Sequence, residues 1–134
     1  MTQIKPETGE LSRDLMEFLN HYARETIGET AAEDFQFAAR DDDGNLLGGV
    51  TGRVSHGVLS VQLLAISPRA RRAGLGARLL QTLENAAREQ GATVARLDTL
   101  EFEAPDFYQK MGYQIFGVIG DQIGRRTVFL SKSL

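Results

Sequence analysis

The centre of the chain carries a strand–helix–strand pattern that limits the possible folds more than any other feature. Val58–Ile66 is rich in Val, Leu and Ile, as in a buried strand, and residues 74–90 repeat Leu or Ala at every fourth position, as in an amphipathic helix. Gly91 ends this helix, and residues 92–99 have the composition of a second strand. A helical crossover normally joins two parallel strands of one sheet, so we expect these two strands to be parallel.

The flanking segments predict antiparallel strands and two further helices. The apolar stripe from Leu11 to Tyr22 predicts a first helix that stops at Gly28, followed by a turn or short helix over residues 29–34. The remaining predicted elements are strands at 35–40 and 46–54, a short helix from Pro105 to Gly112, and a final hairpin of strands at 113–118 and 127–131. The expected fold class is therefore α+β, with a mixed, mostly antiparallel central sheet and flanking helices.

Length and composition indicate one domain that spans residues 1–134. The chain has no cysteine, which excludes disulfides, thiolate metal sites and a cysteine nucleophile, and with only two histidines a zinc site is not expected. No apolar run reaches the roughly 20 residues needed to cross a bilayer, and no secretory signal pattern precedes the first helix. We expect no metal, no membrane partner and a cytoplasmic location.

The distribution of charge indicates one dedicated anion site. Lys and Arg total 15 against 18 Asp and Glu, yet residues 67–78 contain four arginines and no acid: Arg69, Arg71, Arg72 and Arg78. A general nucleic-acid binder would instead present a broad basic face. Positive side chains are unfavourable at the start of a helix, where the macrodipole is already positive, so this cluster is typical of a loop that binds a polyanion.

The glycines of the same loop favour a phosphate ligand. Gly74 and Gly76 carry no side chain, so a phosphate can approach the backbone amides at the helix start. The loop is not a Walker A sequence, because no Lys-Ser/Thr follows the glycines, and its glycine order does not match the dinucleotide-binding fingerprint.

Two motifs resemble those of the GNAT superfamily of acetyl-CoA-dependent N-acetyltransferases. The first, R-R-A-G-L-G at 71–76, is similar to the R-x-x-G-x-G/A signature, and the second, A-P-D-F-Y-Q-K-M-G-Y at 104–113, is similar to the A-x-x-F-Y-x-K-x-G-F/Y motif. The order of predicted elements fits as well, so the resemblance covers nearly the whole chain. It implies a GNAT-like acyl-CoA N-acyltransferase fold, with acetyl-CoA as cosubstrate.

The resemblance also implies a role for each matching residue. The sheet should splay beside Val58–Ile66, so that backbone groups of Leu64, Ala65 and Ile66 can bond the pantetheine arm. Tyr108 should give a proton or a hydrogen bond to the departing thiolate, and a phenol suits that role because its pKa of about 10 keeps it protonated at neutral pH. The amides that would hold the pyrophosphate belong to Arg71, Arg72, Ala73, Gly74, Leu75, Gly76 and Ala77.

The acceptor is expected to be a primary amine, of a small molecule or a peptide, that loses a proton before it attacks. Two departures from the family pattern leave the base open: Gln62 stands where a glutamate is frequent, and Glu101 where an asparagine is frequent. Asp98 is the first candidate, because Asp98 and Thr99 end a strand and are both expected to face the cleft. The acidic balance elsewhere favours a cationic acceptor. The other candidate bases are Glu25, His56, Glu101 and Glu103.

Two other classes of protein remain open at this point. A non-catalytic acyl-CoA-binding module would keep the loop at 71–76 and transfer nothing, whereas an interaction domain would use its arginines on nucleic acid or an acidic protein. In the favoured interpretation the chain is an enzyme with no nucleic-acid partner, and a homodimer paired through the C-terminal strands is expected by resemblance. Residues 127–130 would be the exposed edge in that arrangement.

Overall fold

The computed structural model describes residues 1–28, 32–101 and 104–134 and divides the chain into two compact units, Met1–Ala31 and Ala32–Leu134. The predicted segment at 29–34 falls partly outside the described residues. The expectation of a single domain over residues 1–134 stays a prediction.

The first unit contains helix α1 (Leu11–Ile27), which the apolar stripe predicted. The helix ends at Gly28, whose φ of +81° suits glycine and whose N–H bonds Arg24 O at 3.1 Å. His21 Nε2 lies 3.0 Å from Glu25 Oε1, one helical turn further along. Within the described residues no helix is both long and apolar enough to cross a membrane.

The second unit contains a six-stranded sheet in the order β1-β2-β3-β4-β6-β5. Neighbouring strands are antiparallel except β3 and β4, which are parallel on either side of the crossover helix, as predicted. The elements are β1 (Glu33–Arg40), β2 (Leu46–Ser55), β3 (Val58–Ile66), α2 (Leu75–Glu89), β4 (Val94–Leu100), α3 (Pro105–Lys110), β5 (Gln114–Gly120) and β6 (Arg126–Ser133), with a 3-10 turn at Pro68–Ala70. The predicted fold class is confirmed.

The core forms where α2 packs against the sheet. The buried face of the helix presents Leu80, Leu83 and Ala87 to strand residues such as Leu59. Gly52 permits this close approach, because a Cβ at that position would lie 2.9 Å from Leu83 Cδ2 and collide with it. Close packing therefore fixes the position of the crossover helix on the sheet, and the first turn of the helix lies beside the end of β3.

Strands β3 and β4 pair only at their beginnings and then separate. The register joins Val58–Ser60 to Val94–Arg96, and no later residue of β3 pairs with a described residue of β4. A β-bulge also interrupts β3: Thr51 pairs with Leu63 and Gly52 with Val61, so Gln62 is the extra residue. The splay that the family resemblance implies is thus present, and it leaves one edge of Leu63–Ile66 without a strand partner in the described sheet.

The edge strand of the sheet differs from the one expected. Strand β6, which contains residues 127–130, lies between β4 and β5, so β5 forms the edge. Val128 and Leu130 are buried within the hydrophobic core. The expectation of an exposed edge at 127–130 is therefore wrong. A homodimer stays a prediction, and among the C-terminal strands only β5 offers an edge for pairing.

Candidate functional site

A pocket of about 1030 Å³ opens between the separated strands, the start of α2 and helix α3. It contains all of the predicted site residues except Ala73 and Asp98. Its lining residues are Leu63, Leu64, Ala65, Ile66, Ala70, Arg71, Arg72, Gly74, Leu75, Gly76, Ala77, Thr99, Ala104, Phe107, Tyr108, Lys110 and Met111. None of these described residues is acidic, and most are apolar, so the pocket suits a long, partly apolar ligand with anionic groups.

The start of α2 presents backbone amides that no side chain of the described residues caps. Gly74 is the N-cap, has no side-chain hydrogen bond to offer, and adopts a left-handed conformation with φ of +74°. The first turn holds no acid, and in the described part of the chain no side-chain cap is present at this helix start, so the N–H groups of Leu75, Gly76 and Ala77 point out of the helix without one. The uncapped amides and the helix dipole together form a site for an anion.

The arginine cluster divides into two groups in the structure. Arg71 and Arg72 line the pocket, and Arg71 Nε donates to Ile66 O at 3.3 Å, which holds this guanidinium near the end of β3. Arg69 instead contacts Asp41 Oδ2 at 3.3 Å, and Arg78 is not among the lining residues. The expectation that all four arginines surround one anion is therefore too broad, because a carboxylate distant in sequence neutralises Arg69.

Tyr108 lies at the inner side of the pocket and is 8% exposed. Its ring meets the Phe107 ring edge-on at 5.1 Å and the Tyr113 ring at 5.8 Å, measured between centroids. Phe107 in turn packs over Gly76, where an added Cβ would lie 3.5 Å from the ring. The phenol that the family motif implies is therefore beside the predicted anion site and held by aromatic packing.

Asp98 and Thr99 lie on opposite faces of β4. Thr99 is buried and lines the pocket, whereas Asp98 is exposed and does not. Successive side chains of a strand alternate, so both could not face one cleft as expected. A role for Asp98 as a base stays a prediction, for an amine that approaches from the other face of the sheet.

The other candidate bases lie in less suitable settings. Arg126 donates to both carboxylate oxygens of Glu101 at 2.9 Å, and this hydrogen bonding holds the pKa of Glu101 below its usual range, which makes it a weak base. Glu101 borders a neighbouring cavity of about 650 Å³. His56 occupies the turn before β3, about 20 Å along the strand from Leu63. Glu25 belongs to α1, and Glu103 lies outside the described residues.

One buried charged group was missed by the sequence analysis. Glu84 of α2 is 2% exposed and lies between Leu80, Leu83 and Ala87 on the face of the helix that packs against the sheet. The helical period alone places it among these apolar residues, so the signal was available in the sequence. Within the described residues, no group of three or more His, Asp or Glu side chains could hold a metal ion.

Comparison with known proteins identifies the family. Residues 32–115, more than half of the chain, match the family model described as the acetyltransferase (GNAT) domain. The chain belongs to the GNAT acetyltransferase family. The resemblance inferred from the two motifs is therefore correct, and the chain is an acetyl-CoA-dependent acetyltransferase.

Individual relatives support this family membership. The chain is 32% identical to an acetyltransferase of Agrobacterium fabrum over 107 residues, which cover 79% of this chain and 78% of the relative. It is 43% identical to the blasticidin-S acetyltransferase of Streptomyces morookaense over 79 residues, 58% of this chain. That match spans 58% of the Streptomyces protein, or less than two thirds of its length.

Solved structures share the fold. A crystal structure of an acetyltransferase from Bacillus cereus superposes with a TM-score of 0.91 at 28% identity and covers 99% of this chain and 98% of its own. A candidate streptothricin acetyltransferase of Bacillus anthracis, solved in complex with acetyl coenzyme A, has a TM-score of 0.68 at 16% identity over 75% of this chain and 62% of its own. Membership of the GNAT acetyltransferase family favours an enzyme over the two alternatives that the sequence left open, a non-catalytic acyl-CoA-binding module and an interaction domain.

Proposed function

We propose that this GNAT protein transfers an acetyl group from acetyl-CoA to the primary amine of a small cationic molecule, by direct attack within a ternary complex. The observation that carries the proposal is the uncapped start of α2, which opens onto a largely apolar pocket beside the free edge of β3. In this arrangement the amides at the start of α2 suit a diphosphate, and the free edge of β3 suits an arm that contains amides.

The residues of the pocket fit acetyl-CoA in three places. The amides of Leu75, Gly76 and Ala77 would hold the pyrophosphate, with Arg71 and Arg72 beside them to neutralise it. The backbone edges of Leu64, Ala65 and Ile66 would bond the amides of the pantetheine arm. Ala73, although not a lining residue, belongs to the same loop and keeps its proposed role through its backbone.

Tyr108 is proposed as the proton or hydrogen-bond donor to the leaving thiolate. When bound, acetyl-CoA supplies a thioester carbon that an amine nitrogen can attack directly. The chain has no cysteine that could carry the acetyl group as a thioester, which favours transfer without a covalent enzyme intermediate. The low exposure of Tyr108 would keep its hydroxyl from exchanging protons freely with bulk water.

The acceptor is proposed to be a small cationic amine, because the chain is acidic outside its arginine loop; the name of the Streptomyces relative gives blasticidin S as the acceptor of that protein. The pocket itself has no acidic lining residue among those described, so the proton of the amine would pass to a base outside this lining or to water. Asp98 is proposed for this role, because Leu63 and Ala65 extend the pocket into the gap between the strands and an amine at that gap would meet the exposed face of β4.

Acetyl-CoA is expected to raise the melting temperature of the protein. A ligand that binds only the folded state stabilises it by RT ln(1 + [L]/Kd), about 2.7 kcal/mol at 100 times Kd. The measurement is a thermal-shift titration, in which acetyl-CoA is compared with pantetheine, the arm without the diphosphate. A screen of amines that detects free thiol then tests transfer. An unchanged melting temperature at millimolar acetyl-CoA, or no thiol release with any amine, would contradict the proposal.

Replacing Gly74 by alanine should weaken acetyl-CoA binding about 5- to 30-fold. An alanine at a φ of +74° is strained by about 1–2 kcal/mol, and the loop relieves the strain by turning the amides of α2 away from the ligand. The measurement is the Kd for acetyl-CoA by calorimetry.

Gly124→Ala is the matched control for this substitution. Gly124 has a φ of +85° and, like Gly74, would place its Cβ in open space, but it belongs to the turn between β5 and β6. Both variants should lose similar stability, and only Gly74→Ala should lose affinity. Equal affinities of the two variants for acetyl-CoA would show that the amides at the start of α2 do not bind the ligand.

A further inference from the structure

A buried polar cluster lies behind Tyr108 and has no role in the chemistry proposed above. Glu84 Oε2 accepts a hydrogen bond of 2.7 Å from Tyr113 Oη, and Glu84 Oε1 accepts one of 2.9 Å from Lys132 Nζ. The Lys132 ammonium also lies 5.5 Å from the centroid of the Tyr113 ring. These three residues, Glu84, Tyr113 and Lys132, form the Glu84 cluster, which joins α2 to the segment between α3 and β5 and to β6.

Burial of Glu84 requires an explanation beyond stability. The side chain is 2% exposed, so its carboxylate has lost its hydration, which costs free energy. A well-packed apolar residue at the same position would not have this cost. Burial and the hydrogen bond to Glu84 also raise the pKa of Tyr113 far above its usual range, so Tyr113 remains a phenol and keeps donating its proton to Glu84. The cluster therefore fixes one orientation of the Tyr113 ring.

The orientation of Tyr113 bears directly on Tyr108. Tyr113 N–H donates to Tyr108 O at 3.0 Å, and the two rings meet edge-on at 5.8 Å. Helix α3 has only six residues, too few to be stable alone, so its position depends on what it packs against. Whatever holds the ring of Tyr113 in place also holds one side of Tyr108.

Helix α2 contacts α3 and the segment that follows it, one point on each. Near its start, Gly76 lies against Phe107, and eight residues later Glu84 bonds Tyr113. Residues eight apart lie about 80° around the helix, within one broad stripe, and about 12 Å along its axis. Phe107, which precedes Tyr108, and Tyr113, whose ring packs on Tyr108, thus both contact α2. The first turn of the same helix would bind the diphosphate.

We infer that Glu84 is a positioning residue, which through Tyr113 sets Tyr108 at the correct distance from the ligand bound at the start of α2. This inference rests on the proposed function and adds a residue to it. Glu84 and Tyr113 do not line the pocket, so neither would touch the substrates.

The test compares Tyr113→Phe, Glu84→Leu and Glu84→Gln. The first two remove the hydrogen bond between these side chains, and the third keeps an oxygen that can accept it. We expect kcat to fall about 10-fold or more in the first two, since small displacements of a reacting group are costly, and to recover in part with Gln. The Kd for acetyl-CoA should change less than about twofold in all three, because the amides of α2 are untouched.

A control variant separates positioning from loss of stability. Val54→Ala removes buried methyl groups at the hairpin end of β2, remote from α3, and should lower the melting temperature with an unchanged kcat. All assays are run well below the melting temperature of the weakest variant. If kcat followed the melting temperature across Val54→Ala and the three cluster variants alike, a purely structural role would replace the inference.

A second measurement does not depend on turnover. The chain has three tyrosines, so the 19F spectrum of protein labelled with 3-fluorotyrosine can be assigned with single Tyr→Phe variants. We expect the Tyr108 signal to broaden or divide in Glu84→Leu and to stay single in Glu84→Gln and Val54→Ala. An unchanged Tyr108 signal in Glu84→Leu would overturn the inference and leave the proposed function intact. Failure of the wild-type protein to transfer acetyl groups would overturn the proposed function and the catalytic part of this inference, and the 19F spectra would then report only whether Glu84 fixes the position of Tyr108.

Discussion

Tyr108→Phe should lower kcat by about 10²- to 10³-fold, which lies within the range of about 10²- to 10⁴-fold that a positioned proton donor contributes. The departing thiolate would then lack its proton or hydrogen bond, whereas the aromatic contacts of residue 108 with Phe107 and Tyr113 would persist. The KM for acetyl-CoA should change little, because the proposed contacts with the ligand lie mainly at the start of α2. Steady-state kinetics with the best amine from the screen provide the measurement.

Tyr22→Phe is the matched control for that experiment. It makes the same chemical change on α1, where the side chain is largely exposed, and should leave kcat unaltered. A Tyr108→Phe enzyme that turns over as fast as the wild-type protein would remove Tyr108 from the chemistry. A fall in the affinity for acetyl-CoA as large as the fall in kcat would instead assign Tyr108 a binding role.

Lys132→Met should reduce the free energy of unfolding by about 3 kcal/mol, because it leaves the carboxylate of Glu84 buried without its cation. For a chain of this size that loss lowers the melting temperature by about 10 °C. Methionine nearly matches lysine in length and flexibility, so the packing around Gly112, which the lysine side chain contacts, should be largely kept. Denaturant titration and calorimetry give the two values.

The triple variant Glu84→Leu, Lys132→Met, Tyr113→Phe tests the cause of that loss. It replaces the whole Glu84 cluster by apolar groups, so no charge or hydroxyl is left unpaired, and most of the stability should return. Lys5→Met, at an exposed position of the first unit, should have little effect. A melting temperature for Lys132→Met within about 2 °C of the wild-type value would mean that water replaces the lysine as partner of Glu84.

Local patterns in the sequence predicted most of the fold. The periodicities of Val58–Ile66 and of the crossover helix gave the correct element types, and the predicted parallel pair is present. The order of β5 and β6 could not be predicted in this way, because a hairpin can attach to a sheet by either strand. That choice depends on which strand buries more apolar surface against the rest of the sheet, as β6 does with Val128 and Leu130.

The candidate site was predicted where it depends on backbone and less well where it depends on side-chain direction. The glycines of the loop and the tyrosine motif lie together as expected. Asp98 and Thr99 could have been separated by the simple alternation of a strand. The contact of Arg69 with Asp41 could not have been foreseen, because it joins residues 28 positions apart through the tertiary structure.

The bulge in β3 and its early separation from β4 leave the two halves of β3 with different numbers of strand partners. The first three residues of β3 pair with strands on both sides, whereas its last four pair with β2 alone among the described strands. The free energy needed to open the second half of β3 locally is therefore lower than for the first half. Acetyl-CoA lying along that edge would take the place of a neighbouring strand. Binding of the cosubstrate would then stiffen the sheet itself, much as an added strand does in peptide recognition.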